Sequence, residues 1–274
     1  MKTLRIVFVI LLFYGLIINI SFAKTPKRII SANPIFTDIL YSLGSEKEVV
    51  GVTKYCKKPI EAQKKPKIGD MFLNYETILK LKPDLVIVMP AGNGDNVKKL
   101  KSLGLNVLSL RCDTIEDFKN CTLKIGKAIG RDKKASELIF NLERDFEKVK
   151  NLSNNIEKSK RKKVFVEIWD SPLMTCGKNS YISQLIEIAG GVNIGNSVDS
   201  ANFNVGTEFL YKFNPDVIFL MTSEKPQPAW KRLKAVKNNT VYRLEPDSFA
   251  VMSFDMGKLT LDIHNKIYGN KNYK

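Results

Sequence analysis

Few residue patterns in this 274-residue chain could carry out covalent chemistry. The sequence contains no GxSxG turn of a serine hydrolase, no HExxH pair of a zinc protease and no Walker loop for a nucleotide. Its single histidine, His264, falls on the last predicted helix, away from the predicted loops, and we interpret it as a structural or surface residue. We therefore expect neither a catalytic triad nor a His-rich metal site.

A glycine pair around Asn93 is the nearest approach to a cofactor motif. Gly92 and Gly94 follow a predicted strand, but the third glycine position of a dinucleotide-binding turn holds Val97. We interpret the segment as a tight loop at the carboxyl end of a strand, where open α/β sheets bind ligands. Asn93 is therefore a candidate ligand-binding residue, and no intrinsic cofactor is expected.

Large apolar and polarisable side chains gather in the predicted loops and at the predicted strand ends. Each one alone fits a core position as well as a pocket position. Together, in an exported protein, they indicate a cleft for a bulky flat or greasy ligand. The set comprises Tyr55, Met71, Phe72, Trp169, Phe203, Trp230, Phe249 and Met252.

Two stretches of the chain, residues 74–89 and 206–221, are versions of each other. In both, an acceptable N-cap residue, Asn74 or Gly206, precedes a short helix with apolar residues three to four positions apart. A Pro-Asp pair then ends the helix, and an apolar run rich in Val and Ile predicts a strand buried on both faces. A unit of this length occurring twice predicts two similar α/β lobes.

A long helix is predicted between the two copies. From residue 132 to about residue 151 the apolar positions recur at helical spacing, with no Gly or Pro among them. We interpret this helix as a connecting rod that belongs to neither lobe. The chain is accordingly divided into an N-terminal lobe (24–130), a connecting helix (131–160) and a C-terminal lobe (161–274).

The first 23 residues have the pattern of a signal peptide. Lys2 and Arg5 precede an apolar run, and small residues at Ser21 and Ala23 suit cleavage after residue 23. An uncleaved anchor is the alternative, although the run is short for a membrane span. No Cys lies near this site, so we expect a free exported protein rather than a lipid-anchored one.

The mature chain is strongly basic, with 42 Lys and Arg against 28 Asp and Glu after removal of Lys2 and Arg5. The lysines are scattered rather than concentrated in a stripe with interleaved aromatics, so nucleic-acid binding is not expected. We interpret the charge as a solvated surface, with a bias toward an anionic ligand or acidic membrane left open. Among the four cysteines, Cys112 and Cys121 either form a disulfide or, like Cys56 and Cys176, are free buried thiols.

An ordered series of motifs resembles one known family. In the first half the motifs lie at residues 28–31, 37–44, 49–53, 66–69 and 81–86, and in the second half at 175–178, 185–194 and 214–218. The chain is similar here to the periplasmic-binding family for cobalamin and ferric chelates. The resemblance implies two Rossmann-like lobes joined by a single long backbone helix, with a ligand cleft between the lobes. It also implies a monomer that delivers its ligand in the periplasm to the permease dimer of an ABC importer.

Within that family the sequence is most similar to the cobalamin-binding branch. Tyr55 falls where that branch stacks an aromatic ring on the corrin, and Phe203 falls where it uses a Trp. Met71 and Phe72 stand where another Trp is expected, and Cys176 replaces a usual Ser. The ligand expected from the resemblance is a corrinoid such as cobalamin, with a ferric siderophore or haem as alternatives.

Glu76 and Glu208 occupy equivalent places in the two repeats, in the first turn of each helix. A carboxylate is stabilised locally at that position by the helix dipole, which is one interpretation. The resemblance implies another, in which the two carboxylates dock the protein to one arginine from each permease subunit.

An exported α/β enzyme using the same cleft is the alternative of a different class. The sequence opposes it, because no acid–base pair or nucleophile converges there.

Overall fold

The computed structural model describes residues 25–90 and 95–269. The predicted signal peptide, residues 1–23, and the candidate ligand-binding residue Asn93 lie outside the described residues. Within the described ranges, no helix combines the length and the apolarity that a membrane crossing requires.

The N-terminal part forms a parallel four-stranded sheet in the order β2-β1-β3-β4. Ile29 and Leu85 are adjacent in the register of β1 and β3, and the two strands are buried along their whole length. The strands are β1 (Ile29–Ser31), β2 (Val49–Val52), β3 (Leu85–Val88) and β4 (Val107–Ser109). The helices are α1 (Pro34–Ser42), α2 (Tyr75–Lys80), α3 (Asp95–Ser102) and α4 (Ile115–Ala128).

The C-terminal part forms a second parallel sheet, in the order β11-β10-β5-β8, and a three-stranded sheet in the order β6-β7-β9. The strands are β5 (Lys163–Glu167), β6 (Trp169–Asp170), β7 (Leu173–Cys176), β8 (Val192–Asn193), β9 (Asn202–Asn204), β10 (Val217–Leu220) and β11 (Val241–Arg243). The helices that follow α5 (Asp132–Asn154) are α6 (Tyr181–Ile188), α7 (Thr207–Phe213), α8 (Lys234–Lys237), α9 (Pro246–Phe249) and α10 (Met256–Tyr268).

The two large sheets have the same topology, which confirms the prediction of two similar α/β lobes. In the N-terminal sheet, β1 pairs with β2 on one side and with β3 on the other, and β3 pairs with β4. In the C-terminal sheet, β5 pairs with β8 on one side and with β10 on the other, and β10 pairs with β11. The two-lobed α/β fold is thus established, while the division of the chain at residues 131–160 remains our proposal.

The Asp of each Pro-Asp pair performs the same task in both lobes. The Asp84 carboxylate accepts hydrogen bonds from the backbone N–H groups of Lys27 (2.7 Å) and Arg28 (2.9 Å) at the start of β1. The Asp216 carboxylate accepts one from the N–H of Lys163 (2.8 Å) at the start of β5. Each Asp therefore ties the repeat unit to the first strand of its own lobe.

Helix α5, 23 residues long, is the predicted connecting rod. At 1.5 Å per residue it extends for about 35 Å. Its buried residues Leu142 and Phe146 belong to one continuous apolar core, which also contains Ile29 of the first sheet and Val164 of the second. The rod is consequently packed into both lobes rather than exposed between them.

Glycines allow neighbouring helices to approach α5 closely. A Cβ atom at Gly126 of α4 would lie 2.6 Å from the Cβ of Ala135, and one at Gly257 of α10 would lie 2.7 Å from the Cβ of Asp145. Contacts below 3.0 Å between such atoms are not tolerated without a backbone shift. One helix from each side of the chain is thus fitted directly against the rod.

Helix α4 is capped at its start by side chains, and the cysteines are unpaired. Thr114 and Asp117 form a capping box, with the Thr114 Oγ1 accepting from the Asp117 N–H at 3.1 Å. All four cysteines are buried free thiols, which corresponds to the second of the two alternatives for Cys112 and Cys121. A hydrogen bond between those two thiols, together with burial, raises the pKa of Cys112.

We expect Gly126→Ala to destabilise the protein, because the added methyl group meets the Cβ of Ala135 inside the packed helix pair. Overpacking costs about 1–3 kcal/mol, against a gain of about 0.5–1 kcal/mol from replacing a mid-helix glycine. The melting temperature should fall by about 2–8 °C. The double variant with Ala135→Gly restores the space and should recover most of the loss. An unchanged melting temperature in the single variant would contradict the close packing.

Candidate ligand-binding cleft

A cavity of about 390 Å³ lies between the two lobes, beyond the carboxyl ends of β1, β2 and β11. This is the position at which open α/β sheets bind ligands, and the volume lies within the range of about 300–1,000 Å³ for small-molecule sites. The N-terminal lobe contributes Pro34, Asp38, Tyr55, Lys57 and Lys58, and the C-terminal segment contributes Ser248, Ala250, Val251, Ser253 and Asp255.

Two buried side chains fix the C-terminal wall of this cavity. Phe249 and Met252 are both 2% exposed and belong to the main apolar core, so the residues between and beside them face the cavity. The carbonyl oxygen of Phe249 accepts a hydrogen bond from the Tyr181 hydroxyl. The ring of Phe254 makes an edge-to-face contact with Phe118 of α4, at 5.0 Å between ring centroids. The sequence analysis predicted Phe249 and Met252 as ligand contacts. Both side chains are instead buried in the core, where they hold the cavity wall in place.

Asp38 of α1 is the most perturbed charged group in the cavity. Burial, reinforced by the nearby negative charge of Asp255, raises the pKa of Asp38 to about 7. A hydrogen bond from the Phe254 backbone and the charge of Lys58 oppose this shift without cancelling it. The Oδ2 atom of Asp38 is buried and has no hydrogen-bond partner among the described residues. A residue that lines the cavity therefore carries an acceptor that this part of the chain leaves unpaired.

Lys58 connects the two walls of the cavity. Its Nζ atom donates a hydrogen bond of 3.0 Å to the Oγ atom of Ser248 in the opposite lobe. Lys57 lines the same cavity beside it, so two lysines and two aspartates face this space. The lining of the cavity consequently carries charges of both signs beside its apolar residues, and the Lys58–Ser248 hydrogen bond joins its two walls.

Three apolar side chains are exposed on loops of the N-terminal lobe, and one of them, Tyr55, lines the cavity. Tyr55 is 52% exposed and lines the cavity, while Met71 and Phe72 are 79% and 84% exposed. Asp70 shapes the loop that carries them: its Oδ1 accepts a hydrogen bond from the Phe72 N–H at 3.1 Å, which holds the pKa of Asp70 below its usual value. Lys54, next to Tyr55, forms an ion pair with Asp70 at 3.4 Å, so the two segments are held together.

Trp169 is the corresponding exposed aromatic residue of the C-terminal lobe, at 52% exposure. Its indole Nε1 donates to the Ser171 carbonyl oxygen at 2.9 Å, which fixes the ring. Two residues earlier, the buried carboxylate of Glu167 accepts hydrogen bonds from the N–H groups of Thr222 (3.2 Å) and Ser223 (2.9 Å). The strand end that carries Trp169 is therefore tied to the loop after β10.

The structure does not bring Phe203 together with Trp169. Trp169 is paired with Met174, whereas Phe203 is paired with Thr175, the next residue of β7. Because neighbouring residues of a strand point to opposite faces, the two aromatic side chains lie on opposite faces of the small sheet. Phe203 instead makes an edge-to-face contact with Phe209 of α7, at 5.8 Å between ring centroids.

Two further candidates of the sequence lie inside the C-terminal lobe. Cys176 has no exposed surface, and burial raises the pKa of its thiol to about 12. Trp230 is also fully buried and packs edge-to-face against Phe165, at 5.8 Å. His264 is 2% exposed, with its Nδ1 atom 2.9 Å from the Ala189 carbonyl oxygen, so it has the structural role expected of it. Among the described residues, no group of three His, Cys, Asp or Glu side chains is placed to hold a metal ion.

The sequence reasoning missed most of the cavity floor. Asp38 carried a signal, because it is the only charged residue in helix Pro34–Ser42. Lys57 and Lys58 follow Tyr55 after one intervening residue, Cys56, and a pair of lysines in a loop is typical of a solvated surface. Ala250 and Val251 carry no signal, because small apolar residues in a loop are common and only their position against the opposite lobe makes them part of the site.

Glu76 and Glu208 are exposed in the first turns of α2 and α7, as expected from the repeat. Glu76 forms an ion pair with Lys80 at 2.6 Å, and both side chains are largely exposed. Such a pair contributes only about 0–1 kcal/mol to stability. The two carboxylates are thus accessible and cost little to replace.

Residues 29–248 match the family described as periplasmic binding protein. The chain belongs to this family. Membership implies a membrane permease as partner and a small molecule as ligand, and it accounts for the two lobes with a cleft between them.

The relatives of this periplasmic binding protein are named for different ligands, and one of them is uncharacterized. It is 31% identical over 240 residues to an uncharacterized ABC transporter substrate-binding lipoprotein, YvrC, of Bacillus subtilis, covering 84% of this chain and 76% of the relative. It is 28% identical to a vitamin B12-binding protein of Vibrio cholerae, over 81% and 82% of the two chains. It is 27% identical to the high-affinity heme uptake protein IsdE of Staphylococcus aureus, over 80% of each.

A solved structure confirms the architecture. The periplasmic vitamin B12-binding protein BtuF of Vibrio cholerae superposes with a TM-score of 0.79 at 22% identity, over 91% of this chain and 99% of that one. At this identity the similarity establishes the shared fold.

We expect the stability of the protein to depend on pH through Asp38. The folded state raises the pKa of this carboxyl from 3.8 to about 7, so it holds a proton that the unfolded chain releases. Its contribution is therefore most favourable at low pH and is lost as the pH rises toward 7. Between pH 5 and pH 8 the wild type should lose about 1–2 kcal/mol relative to Asp38→Asn, allowing for solvent screening.

Melting temperatures of both proteins at pH 5 and pH 8 provide the measurement. The difference between the variants should change by several degrees, at about 2–4 °C per kcal/mol. Asp113→Asn, which removes an exposed carboxylate outside the cleft, is the control and should show no such change. Parallel pH profiles for the wild type and Asp38→Asn would contradict the assignment.

Proposed function

We propose that the protein is the exported substrate-binding component of an ABC importer and captures a corrinoid or a similar metal chelate. The observation that carries this proposal is an inter-lobe cavity lined by the half-exposed ring of Tyr55, on a protein that also exposes Met71 and Phe72 on one lobe and Trp169 on the other. Exposed aromatic groups of this kind suit a flat, conjugated ligand that stacks on their faces. Residues 1–23 would direct export and be removed, leaving a monomer in the periplasm.

The corrinoid is favoured among chelates by the similarity to the vitamin B12-binding protein of Vibrio cholerae and by Tyr55. The similarity to the heme uptake protein of Staphylococcus aureus, at 27% identity, supports haem as the second candidate. Ferric siderophores remain the third. These ligands are coloured and absorb differently, so a visible spectrum of the protein purified from its own host identifies which of them it carries.

Tyr55→Ala and Trp169→Ala should each weaken ligand binding while leaving the melting temperature nearly unchanged, because both rings are half exposed. Loss of one stacking contact, about 0.5–1.5 kcal/mol, corresponds to a decrease in affinity of about 2- to 12-fold. Absorbance titration with cyanocobalamin, haemin and a ferric hydroxamate measures the effect. Phe140→Ala is the matched control, because this ring is 66% exposed on helix α5. Equal affinity for the wild type and both cleft variants would move the site elsewhere.

We further propose that Glu76 and Glu208 dock the protein on the permease dimer. They stand at equivalent positions of two lobes with the same topology, so they present two carboxylates in a pseudo-twofold arrangement. One arginine from each permease subunit could bind one carboxylate in a bidentate contact. On a strongly basic mature chain, two such carboxylates also orient the encounter.

The double variant Glu76→Ala with Glu208→Ala should retain its fold and ligand affinity but lose stable docking and uptake. Each single variant should lose part of the uptake, because one contact still sets the orientation. Glu137→Ala with Glu147→Ala is the matched control, since both residues are exposed and form similar i,i+3 ion pairs on α5. The assignment fails if the double variant loses ligand affinity, or if it supports uptake at the normal rate.

A further inference from the structure

The floor of the cleft contains two carboxyl groups that converge on the same empty space. Asp38 comes from α1 and Asp255 from the residue before α10, and both line the cavity of about 390 Å³. Within residues 25–90 and 95–269, the buried Oδ2 atom of Asp38 has no hydrogen-bond partner. A buried acceptor without a donor costs free energy, and a second carboxylate nearby adds repulsion.

The other charged groups around Asp38 do not remove this cost. Lys58 faces it from the loop after β2, but the Nζ atom of Lys58 donates to Ser248 across the cleft. The Phe254 backbone donates one hydrogen bond to the carboxyl group and leaves Oδ2 unpaired. Asp255 has its own ion pair with Lys258, at 3.3 Å, on the exposed side of α10. Lys57 and Tyr55 complete the ring of polar residues at the cavity.

From these contacts we infer that Asp38, assisted by Asp255, is the acceptor for a hydrogen-bond donor on the edge of the ligand. The cleft then selects chelates whose periphery bears primary amide or ammonium groups over chelates that bear carboxylates at the same place. This inference rests on the proposed function, because it takes the ring of the ligand to lie against the exposed aromatic residues. A donor group that enters the cavity satisfies Oδ2 and relieves the repulsion between the two aspartates.

Asp38 should weaken the binding of ligands that place a carboxylate against it and strengthen the binding of ligands that place an amide there. An ionised Asp38 repels a carboxylate placed against it and accepts from an amide N–H. With the pKa of Asp38 near 7, the repulsion should operate at pH 8 and disappear at pH 5.5, where the group is protonated. Cyanocobalamin and its b-, d- and e-monocarboxylic acids form a suitable series, because one peripheral amide at a time becomes a carboxylate.

The experiment measures the dissociation constants of these four probes for the wild-type protein, Asp38→Asn, and Asp113→Asn as a control of equal charge change outside the cleft. We expect at least one monocarboxylate to bind the wild type about 10-fold or more weakly than cyanocobalamin at pH 8, as for a hydrogen bond to a charged group. The difference should vanish at pH 5.5 and in Asp38→Asn, and persist in Asp113→Asn. Melting curves confirm that all three proteins are folded.

The inference is overturned if the wild type binds all four probes equally at pH 8, or if the discrimination survives unchanged in Asp38→Asn. It is also overturned if the discrimination is the same at both pH values. Haemin and ferrioxamine B, which carry carboxylates and an ammonium group respectively, extend the comparison beyond corrinoids. Failure of cyanocobalamin, haemin and ferrioxamine B alike to bind the wild type overturns the proposed function itself, and the inference falls with it.

Discussion

The close packing of helices against α5 is the constraint on which the rest of the structure depends. Gly126, against Ala135, and Gly257, against Asp145, leave no room for a side chain, so α4 and α10 are held at fixed positions along the rod. The cavity wall at residues 248–255 leads directly into α10, and the contact between Phe118 and Phe254 connects that wall to α4. Since a packed interior of this kind is not continuously deformable, the packing against the rod keeps α4, α10 and the cavity wall in a fixed arrangement.

In both lobes the repeat unit is attached to the sheet by the same kind of turn and the same Asp contact. Lys82 and Asn214, immediately before the Pro-Asp pairs, both adopt a left-handed conformation with φ of 45°. This turn stops the helix and aims the following Asp at the start of the first strand. In the second lobe, burial alone would raise the pKa of Asp216, but hydrogen bonds from Lys234 and from the Lys163 N–H hold it below its usual value. The carboxylate is thus kept ionised where it joins two strands.

Two kinds of side chain enter the proposed function. Tyr55 lines the cavity, and Met71, Phe72 and Trp169 are exposed on the two lobes. Rings and thioethers of this kind bind flat ligands through their area and polarisability. The lining of the cavity also carries aspartates and lysines, whose hydrogen bonds are directional and costly when unsatisfied. In the proposed function, side chains of the first kind would provide affinity, and those of the second kind would discriminate among ligands of similar shape.

The sequence alone determined the repeat, the two α/β lobes, the connecting helix and the helix caps. These follow from spacing, capping chemistry and apolar runs, which act over a few residues and are visible in one dimension. The tertiary structure alone decided which residues face the cleft. Phe203 and Trp169 are separated by a one-residue difference in strand register, which places them on opposite faces of one sheet. Phe249 and Met252 are buried rather than exposed to the cleft, because their segment packs against the main core. Asp38 and Asp255 are far apart in the sequence but line the same cavity. The packing of α10 against α5 brings their elements together.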